Sequence, residues 1–193
     1  ARPCALVARR AAAPGGRAPA GPRRGAGSGG PGGGRLPYRD GCADLLAVAQ
    51  AAHWFDFPRF HAEVRRVLRA GGVCALWTYE KFRVDAAVDA CVDAFYADVI
   101  GPYWPPERCH VEQAYRTLPF PFEELAAHGF ELESCWSLEQ TLHSLGTWSA
   151  VQRYRDATAS DPLPALAREL AVRWPAAGVA TLRWPIHLRI GRV

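Results

Sequence analysis

The sequence lacks several features that would place it in a specialised class of protein. No apolar run approaches the ~20 residues that a membrane-spanning helix requires, and the first twenty residues lack the apolar core of a secretory signal. The six cysteines include no C-x-x-C pair, and their spacing fits neither a disulfide scaffold nor a zinc site. Methionine is absent, so residue 1 is either a processed terminus or the start of a fragment. We expect a cytoplasmic chain without a bound metal.

The charge is divided unevenly along the 193 residues. Residues 1–39 carry eight arginines and no acidic residue, whereas the remainder carries 15 basic against 19 acidic residues. With 49% hydrophobic and 22% charged residues, the chain as a whole has the composition of one globular domain. The basic first segment and the acidic remainder are therefore two different kinds of sequence.

Residues 1–35 are dominated by glycine, proline, alanine and arginine. Such a segment buries too little apolar surface to offset the entropy lost on folding, so we predict that it is disordered. It could be an Arg/Gly-rich arm that binds nucleic acid, a solvated linker, or a misassigned reading frame in GC-rich DNA. No aromatic residue precedes Tyr38 for bases to stack on, which disfavours nucleic-acid binding.

Turn signals and apolar runs alternate after this segment. The apolar run Ala43–Ala49 predicts a buried strand, Asp56 predicts the N-cap of a helix, and Gly71 and Gly72 predict its end. Residues 73–78 then predict a second strand, parallel to the first in a βαβ unit. The folded part is therefore predicted to be α/β.

The remainder of the chain supplies further helices and strands. We predict a short helix over residues 122–127, a strand over 130–136, a long helix from Leu138 that is interrupted near Gly146, and a final strand over 186–190. In open parallel sheets, ligands bind beyond the carboxyl ends of the strands. This rule predicts a site at the aromatic segments that follow the first two strands.

The sequence resembles the methyltransferase type 11 group of class I S-adenosylmethionine-dependent methyltransferases, which includes trans-aconitate methyltransferase-like proteins. The resemblance is carried by residues 36–46, 50–56, 64–73, 101–104, 115–122 and 146–154. It implies a partial Rossmann-like sheet flanked by helices. The glycine loop and the ribose-binding acid of the family's first half are not found, because the glycines of residues 29–34 follow no apolar strand. We expect residues 36–193 to be the C-terminal part of such a domain.

The resemblance also implies a site. The residues that would bind the cofactor S-adenosylmethionine are Leu36, Ala49, Gln50, Ala51 and His53. The pocket for a small-molecule methyl acceptor would be lined by Trp54, Trp77, Tyr103, Trp104 and Arg116. His53 and Tyr79 are the candidate catalytic residues, His53 as a base for a hydroxyl or amine acceptor. The alternative for His53 is a histidine that only forms a hydrogen bond with the main chain. The alternative for the whole protein is a non-catalytic interaction module with this fold. The sequence does not indicate an oligomeric state.

Overall fold

The computed structural model describes residues 4–8, 25–27 and 35–193. The chain divides into two compact units. Unit 1 comprises Ala1–Tyr79, Cys109–Phe130 and Ile186–Val193, and unit 2 comprises Glu80–Arg108 and Glu131–Pro185. Each unit has its own cluster of buried apolar side chains.

The centre of unit 1 is a βαβ element. Strand β3 (Ala43–Ala49) and strand β4 (Leu68–Tyr79) are parallel neighbours, and helix α1 (Phe57–Val67) connects them. The helix begins after Asp56 because the carboxylate of Asp56 accepts a hydrogen bond from the main-chain N–H of Arg59 at 3.2 Å. The predicted parallel pair and the predicted N-cap are both confirmed.

The remaining strands of unit 1 pair antiparallel to their neighbours. Strand β1 (Cys4–Ala8) pairs with β3, and β2 (Gly25–Gly27) pairs with β1. On the other side, residues 186–192 of β7 (Val179–Arg192) pair with β4, and β5 (Glu123–Leu125) pairs with β7. The sequence did not indicate strands within residues 1–35; the rest of that segment lies outside the described residues, and its disorder stays a prediction.

The predicted helix over residues 122–127 is wrong, because this segment forms strand β5. Its pairing with β7 depends on Gly191, where the aromatic rings before β5 approach the main chain closely. A Cβ atom at Gly191 would lie 2.6 Å from Cε1 of Phe120 and 2.7 Å from Cβ of Phe122. The local sequence favours a helix, and packing against a glycine in a distant segment overrides it.

The predicted end of the first helix is also wrong. Helix α1 ends at Val67, and Gly71 and Gly72 lie within β4. Gly71 has a φ of +74°, and its N–H donates to the carbonyl of Val193 at 2.8 Å. Gly71 therefore supplies a left-handed conformation within the strand, and neither glycine ends the helix.

The core of unit 1 lies between α1 and the sheet. Val64 and Val67 of the helix pack with Leu46, Val48 and Leu76 of the two parallel strands, and all five are fully buried. Each such aliphatic side chain contributes about 1.5–3 kcal/mol to stability relative to an exposed one. This packing fixes the strands whose carboxyl ends carry the predicted site.

Unit 2 is mainly helical. Its helices are α2 (Ala86–Ala94), α4 (Leu138–Gly146), α5 (Ser149–Thr158) and α6 (Leu163–Ala171), while α3 (Arg108–Glu112) begins at its boundary. Strand β6 (Phe130–Ser137) pairs with β7. The predicted strand over 130–136 and the interruption at Gly146 are confirmed. Among the described helices, none is long and apolar enough to cross a bilayer.

Candidate functional site

The carboxyl ends of the two parallel strands meet at Gln50. Ala49 lies opposite Trp77 in the register of β3 and β4. Gln50 follows with a φ of 47°, a left-handed conformation that is uncommon for a residue with a side chain. Its N–H donates to the carbonyl of Trp77 at 2.9 Å. The chain therefore turns sharply at the point where ligands bind in folds of this type.

The carboxamide of Gln50 joins the two strand ends. Its Oε1 accepts hydrogen bonds from the hydroxyl of Thr78 at 2.6 Å and from the N–H of Tyr79 at 2.9 Å. Its Nε2 donates to the carbonyl of Tyr79 at 3.2 Å. Thr78 is fully buried, so its hydroxyl depends on such an acceptor. These bonds hold the left-handed turn in place.

A short 3-10 turn, Ala52–Trp54, follows and carries His53. Ala51 and Ala52 are buried, and His53 is half-buried. The Nδ1 atom of His53 lies 2.8 Å from the hydroxyl oxygen of Tyr115, a hydrogen bond that joins residues 62 positions apart. The indole of Trp54 lies 4.9 Å from the His53 ring, and Trp54 is 42% exposed.

Tyr115 is a site residue that the sequence analysis did not single out. It is fully buried, and both Ala114 and Tyr115 are left-handed, with φ values of 54° and 60°. Neither residue type favours this conformation, so no local signal marks the turn. The signal available was membership of residues 115–122 in the family resemblance.

Arg189 of β7 stabilises this turn through hydrogen bonds to its main-chain carbonyls. Its guanidinium donates to the carbonyls of Tyr115 and Leu118 at 3.0 and 2.8 Å, and to both carboxylate oxygens of Glu124 at 2.8 and 3.0 Å. The bonds from Arg189 lower the pKa of Glu124. The guanidinium also lies 4.7 Å from the centre of the Phe120 ring.

Comparison with known proteins agrees with this fold. A model of the methyltransferase domain matches residues 32–76, which contain β3, α1 and most of β4. A candidate methyltransferase of Dictyostelium discoideum is 32% identical over 139 residues, covering 70% of this chain and 53% of that protein. An uncharacterized methyltransferase of Mycobacterium tuberculosis is 35% identical over 97 residues, covering 50% and 35%.

A solved structure provides the strongest likeness among these. It is a candidate type II methyltransferase from Anaeromyxobacter dehalogenans, with 48% identity and a TM-score of 0.74. The likeness covers 79% of this chain and 66% of that one. The chain belongs to the class I methyltransferase family. It spans 53% and 35% of the two named curated relatives, so it corresponds to about half of their length or less.

Not every residue predicted for the site lies at the strand ends. Leu36 is buried against α1, where its N–H donates to Glu63 at 2.7 Å and its carbonyl accepts from Arg66 at 3.2 Å. Arg116 is exposed and follows Tyr115 directly. The ring of Tyr79 is 41% exposed beside Gln50. The structure therefore groups Ala49, Gln50, Ala51, His53, Trp54, Trp77 and Tyr79, and it places Leu36 against α1.

Tyr103 and Trp104 belong to an aromatic cluster of unit 2. The Trp104 ring lies 5.0 Å from that of Tyr96 and 5.7 Å from that of Trp148, and the Arg108 guanidinium lies 4.5 Å from it. Tyr103 packs instead on Tyr154, with ring centres 5.1 Å apart. These two residues are held by aromatic contacts within their own unit, and their part in acceptor binding stays a prediction.

A second histidine of unit 1, His61, is unsuited to exchange protons with a ligand. It is 7% exposed, and within the described part of the chain its buried Nε2 has no hydrogen-bond partner. Burial lowers the pKa of His61 below its ordinary value, a bond to the carbonyl of Pro119 opposes this, and the nearby charge of Arg65 adds to it. His61 is therefore a buried core residue, whose uncharged form burial favours, and not a candidate base.

Proposed function

We propose that this chain acts as an S-adenosylmethionine-dependent methyltransferase on a small-molecule acceptor, with the donor at the strand ends of unit 1. The observation that carries the proposal is the left-handed turn at Gln50, fixed by three side-chain hydrogen bonds beside the bonded pair His53 and Tyr115. We further propose that residues 36–193 form the C-terminal part of the domain. A cytoplasmic location, without a membrane or nucleic-acid partner, belongs to the same proposal.

The residues at the strand ends fit such a cofactor. S-adenosylmethionine supplies, when bound, an electrophilic methyl group on a positively charged sulfur. Trp54 and Tyr79 expose aromatic surface at the strand ends, and aromatic faces attract cations. The carboxamide of Gln50 is bonded within the protein, so we assign Gln50 to shaping the turn. Ala49, Ala51 and His53 would line the donor pocket with it.

His53 would serve as the general base. A hydroxyl or amine acceptor loses a proton as it takes the methyl group, and a ring nitrogen of His53 would receive that proton. An acceptor that is already a carboxylate would need no base. Trp54, Trp77 and Arg116 would position the acceptor, and its alignment with the methyl group would supply most of the rate enhancement.

A non-catalytic interaction module is the second candidate. It is favoured by one observation: no glycine loop of the family pattern, preceded by an apolar strand, occurs in the sequence. A module of this kind would keep the fold without binding S-adenosylmethionine. The two candidates therefore differ in a measurable property.

Isothermal titration with S-adenosylhomocysteine tests the proposal. We expect saturable binding with a Kd of about 1 mM or tighter, equivalent to about −4 kcal/mol. His53→Gln should weaken it about tenfold, equivalent to about 1.4 kcal/mol. His128→Gln is the matched control, since His128 is exposed in unit 1 and lies outside the proposed pocket. No heat at millimolar ligand would reject cofactor binding by this chain and favour the module.

Transfer itself is tested with a radiolabelled methyl donor. Pools of small hydroxyl, amine and carboxylate compounds serve as acceptors, and the label is followed into the small-molecule fraction. With the methyl donor at saturating concentration, we expect His53→Gln to abolish transfer to hydroxyl and amine acceptors and to spare transfer to carboxylates, because only the first two release a proton. Equal loss with all three acceptor classes would contradict the assignment of His53 as the base.

A further inference from the structure

We infer that Tyr115 is a positioning residue for His53, whose Nδ1–H donates to the Tyr115 hydroxyl oxygen so that Nε2 carries the lone pair a base requires. This inference rests on the proposed function only in the role it gives to His53. The bond itself is a property of unit 1. It can be tested without any substrate.

The geometry of the pair supports a fixed orientation of the imidazole. The Nδ1-to-hydroxyl distance is 2.8 Å, and the two ring centres are 5.8 Å apart with their planes inclined at 46°. The Tyr115 ring is fully buried in the core of unit 1, with Leu46 and Leu76 in the same cluster. A buried ring has little rotational freedom, so its hydroxyl is a fixed point to which the half-buried His53 is tied.

The main chain around Tyr115 is held in a conformation that it would not adopt alone. Two consecutive residues, Ala114 and Tyr115, are left-handed. Strain of this kind persists only where surrounding contacts determine it, and it concentrates at functional sites. Here the surrounding contacts are hydrogen bonds: the N–H of Tyr115 donates to the carbonyl of His110 at 2.8 Å, and its carbonyl accepts from Arg189 at 3.0 Å.

Arg189 connects this turn to the sheet. Because it also bonds Leu118 and forms a two-bond ion pair with Glu124, the turn is attached to β7 and β5 together. A planar guanidinium bonded at several points is more rigid than an ammonium group would be. The position of the Tyr115 hydroxyl is thus set by packing on one side and by Arg189 on the other.

The hydrogen bond to Tyr115 selects the tautomer of His53. A neutral imidazole carries one N–H and one lone pair, and the partner of one nitrogen decides the state of the other. If the phenol accepts from Nδ1–H, Nε2 can receive a proton, and the phenol oxygen also stabilises the imidazolium that results. If the phenol donates to Nδ1 instead, Nε2 carries the proton and His53 can only donate from that atom.

Nitrogen-15 NMR of the full chain distinguishes these two states. The Nδ1 and Nε2 shifts of His53, assigned by their loss in His53→Gln, should show the proton on Nδ1. Tyr115→Phe, which keeps the buried ring, should convert this to a mixture of tautomers. Tyr154→Phe is the matched control, because it removes the hydroxyl of a half-buried tyrosine in unit 2, and should leave the His53 shifts unchanged.

The outcomes separate this inference from the proposed function. A proton on Nε2 in the natural chain, or shifts that Tyr115→Phe does not alter while its melting temperature is retained, would overturn the inference even if methyl transfer is observed. The expected tautomer change in a chain that binds no S-adenosylhomocysteine would support the inference and reject the function.

Where transfer is measurable, Tyr115→Phe should move the acidic limb of the pH–rate profile to lower pH, because the imidazolium loses a partner. If Tyr115→Phe unfolds the chain, Arg189→Lys replaces it, and unchanged His53 shifts in that folded variant would then count against the inference.

Discussion

The turn at Gln50 provides a quantitative prediction, because its hydrogen bonds are few and each has a known partner. Gln50→Ala removes the acceptor of the buried Thr78 hydroxyl, which costs about 1–3 kcal/mol for an unsatisfied buried group. It also removes two bonds to the exposed main chain of Tyr79, each contributing about 0.5–1.5 kcal/mol at most. We expect Gln50→Ala to lower the free energy of unfolding by about 3 kcal/mol in total.

Two companion variants separate the components of this loss. Gln50→Gly removes the same bonds but also the Cβ atom, whose left-handed placement costs about 1–2 kcal/mol. It should therefore be about 1 kcal/mol more stable than Gln50→Ala. Adding Thr78→Val to Gln50→Ala removes the unsatisfied hydroxyl, so the double variant should be more stable than the sum of the single changes predicts.

Native-state amide hydrogen exchange of β3 and β4 is the suitable assay, since it reports the free energy of opening for unit 1 by itself. Gln113→Ala, an exposed change in the same unit, is the control and should stay within about 0.5 kcal/mol of the natural chain. If Gln50→Ala matched this control, the hydrogen bonds at the strand ends would contribute nothing measurable, and the argument that they fix the site would fail.

Three further predictions concern unit 1. His61→Leu should reduce the dependence of the free energy of unfolding on pH below pH 6.5. Because the pKa of His61 is lowered in the folded chain, its contribution to stability is complete above pH 6.5 and is lost as the pH falls below that value. Urea unfolding at a series of pH values measures this dependence. Glu63→Gln should lower the free energy of unfolding by about 1–2 kcal/mol at neutral pH. It should also flatten the dependence of that free energy on pH below pH 4.5, because hydrogen bonds from Arg66 lower the pKa of Glu63 and its contribution is lost as the pH falls. An unchanged pH dependence in that range would contradict the reasoning. Gly191→Ala should destabilise by about 1–3 kcal/mol through overpacking, whereas Gly129→Ala, with nothing within 4 Å, should melt like the natural chain.

The elements that could be predicted from the sequence are those whose signals are local. The apolar run of β3 marks a strand buried on both faces, and Asp56 with Pro58 marks the start of α1. Their parallel pairing with β4 follows from the order strand, helix, strand. The order strand, helix, strand was also sufficient to predict that Gln50 and His53 lie just beyond the carboxyl end of β3.

The features that the sequence could not predict are set by residues far away in the chain. Residues 123–125 form a strand because they pair with β7, where Gly191 leaves space for Phe120 and Phe122 to pack against the main chain. Tyr115 reaches His53 through a turn that Arg189 supports from 74 positions along the chain. Neither residue pair has a spacing rule, so only the family resemblance pointed towards residues 115–122.

The division of the chain has a consequence for how it reaches its native state. Unit 1 is assembled from three stretches, and its central strand β4 pairs with a stretch more than a hundred positions later, from Val73 with Arg192 to Tyr79 with Ile186. Contacts between residues so far apart in sequence slow folding, because the entropy of closing the intervening chain into a loop is lost before the contacts can form. During synthesis, the edge of β4 that pairs with β7 stays unpaired until residue 192 has left the ribosome. We therefore expect nascent chains of this protein to depend on chaperones up to that point.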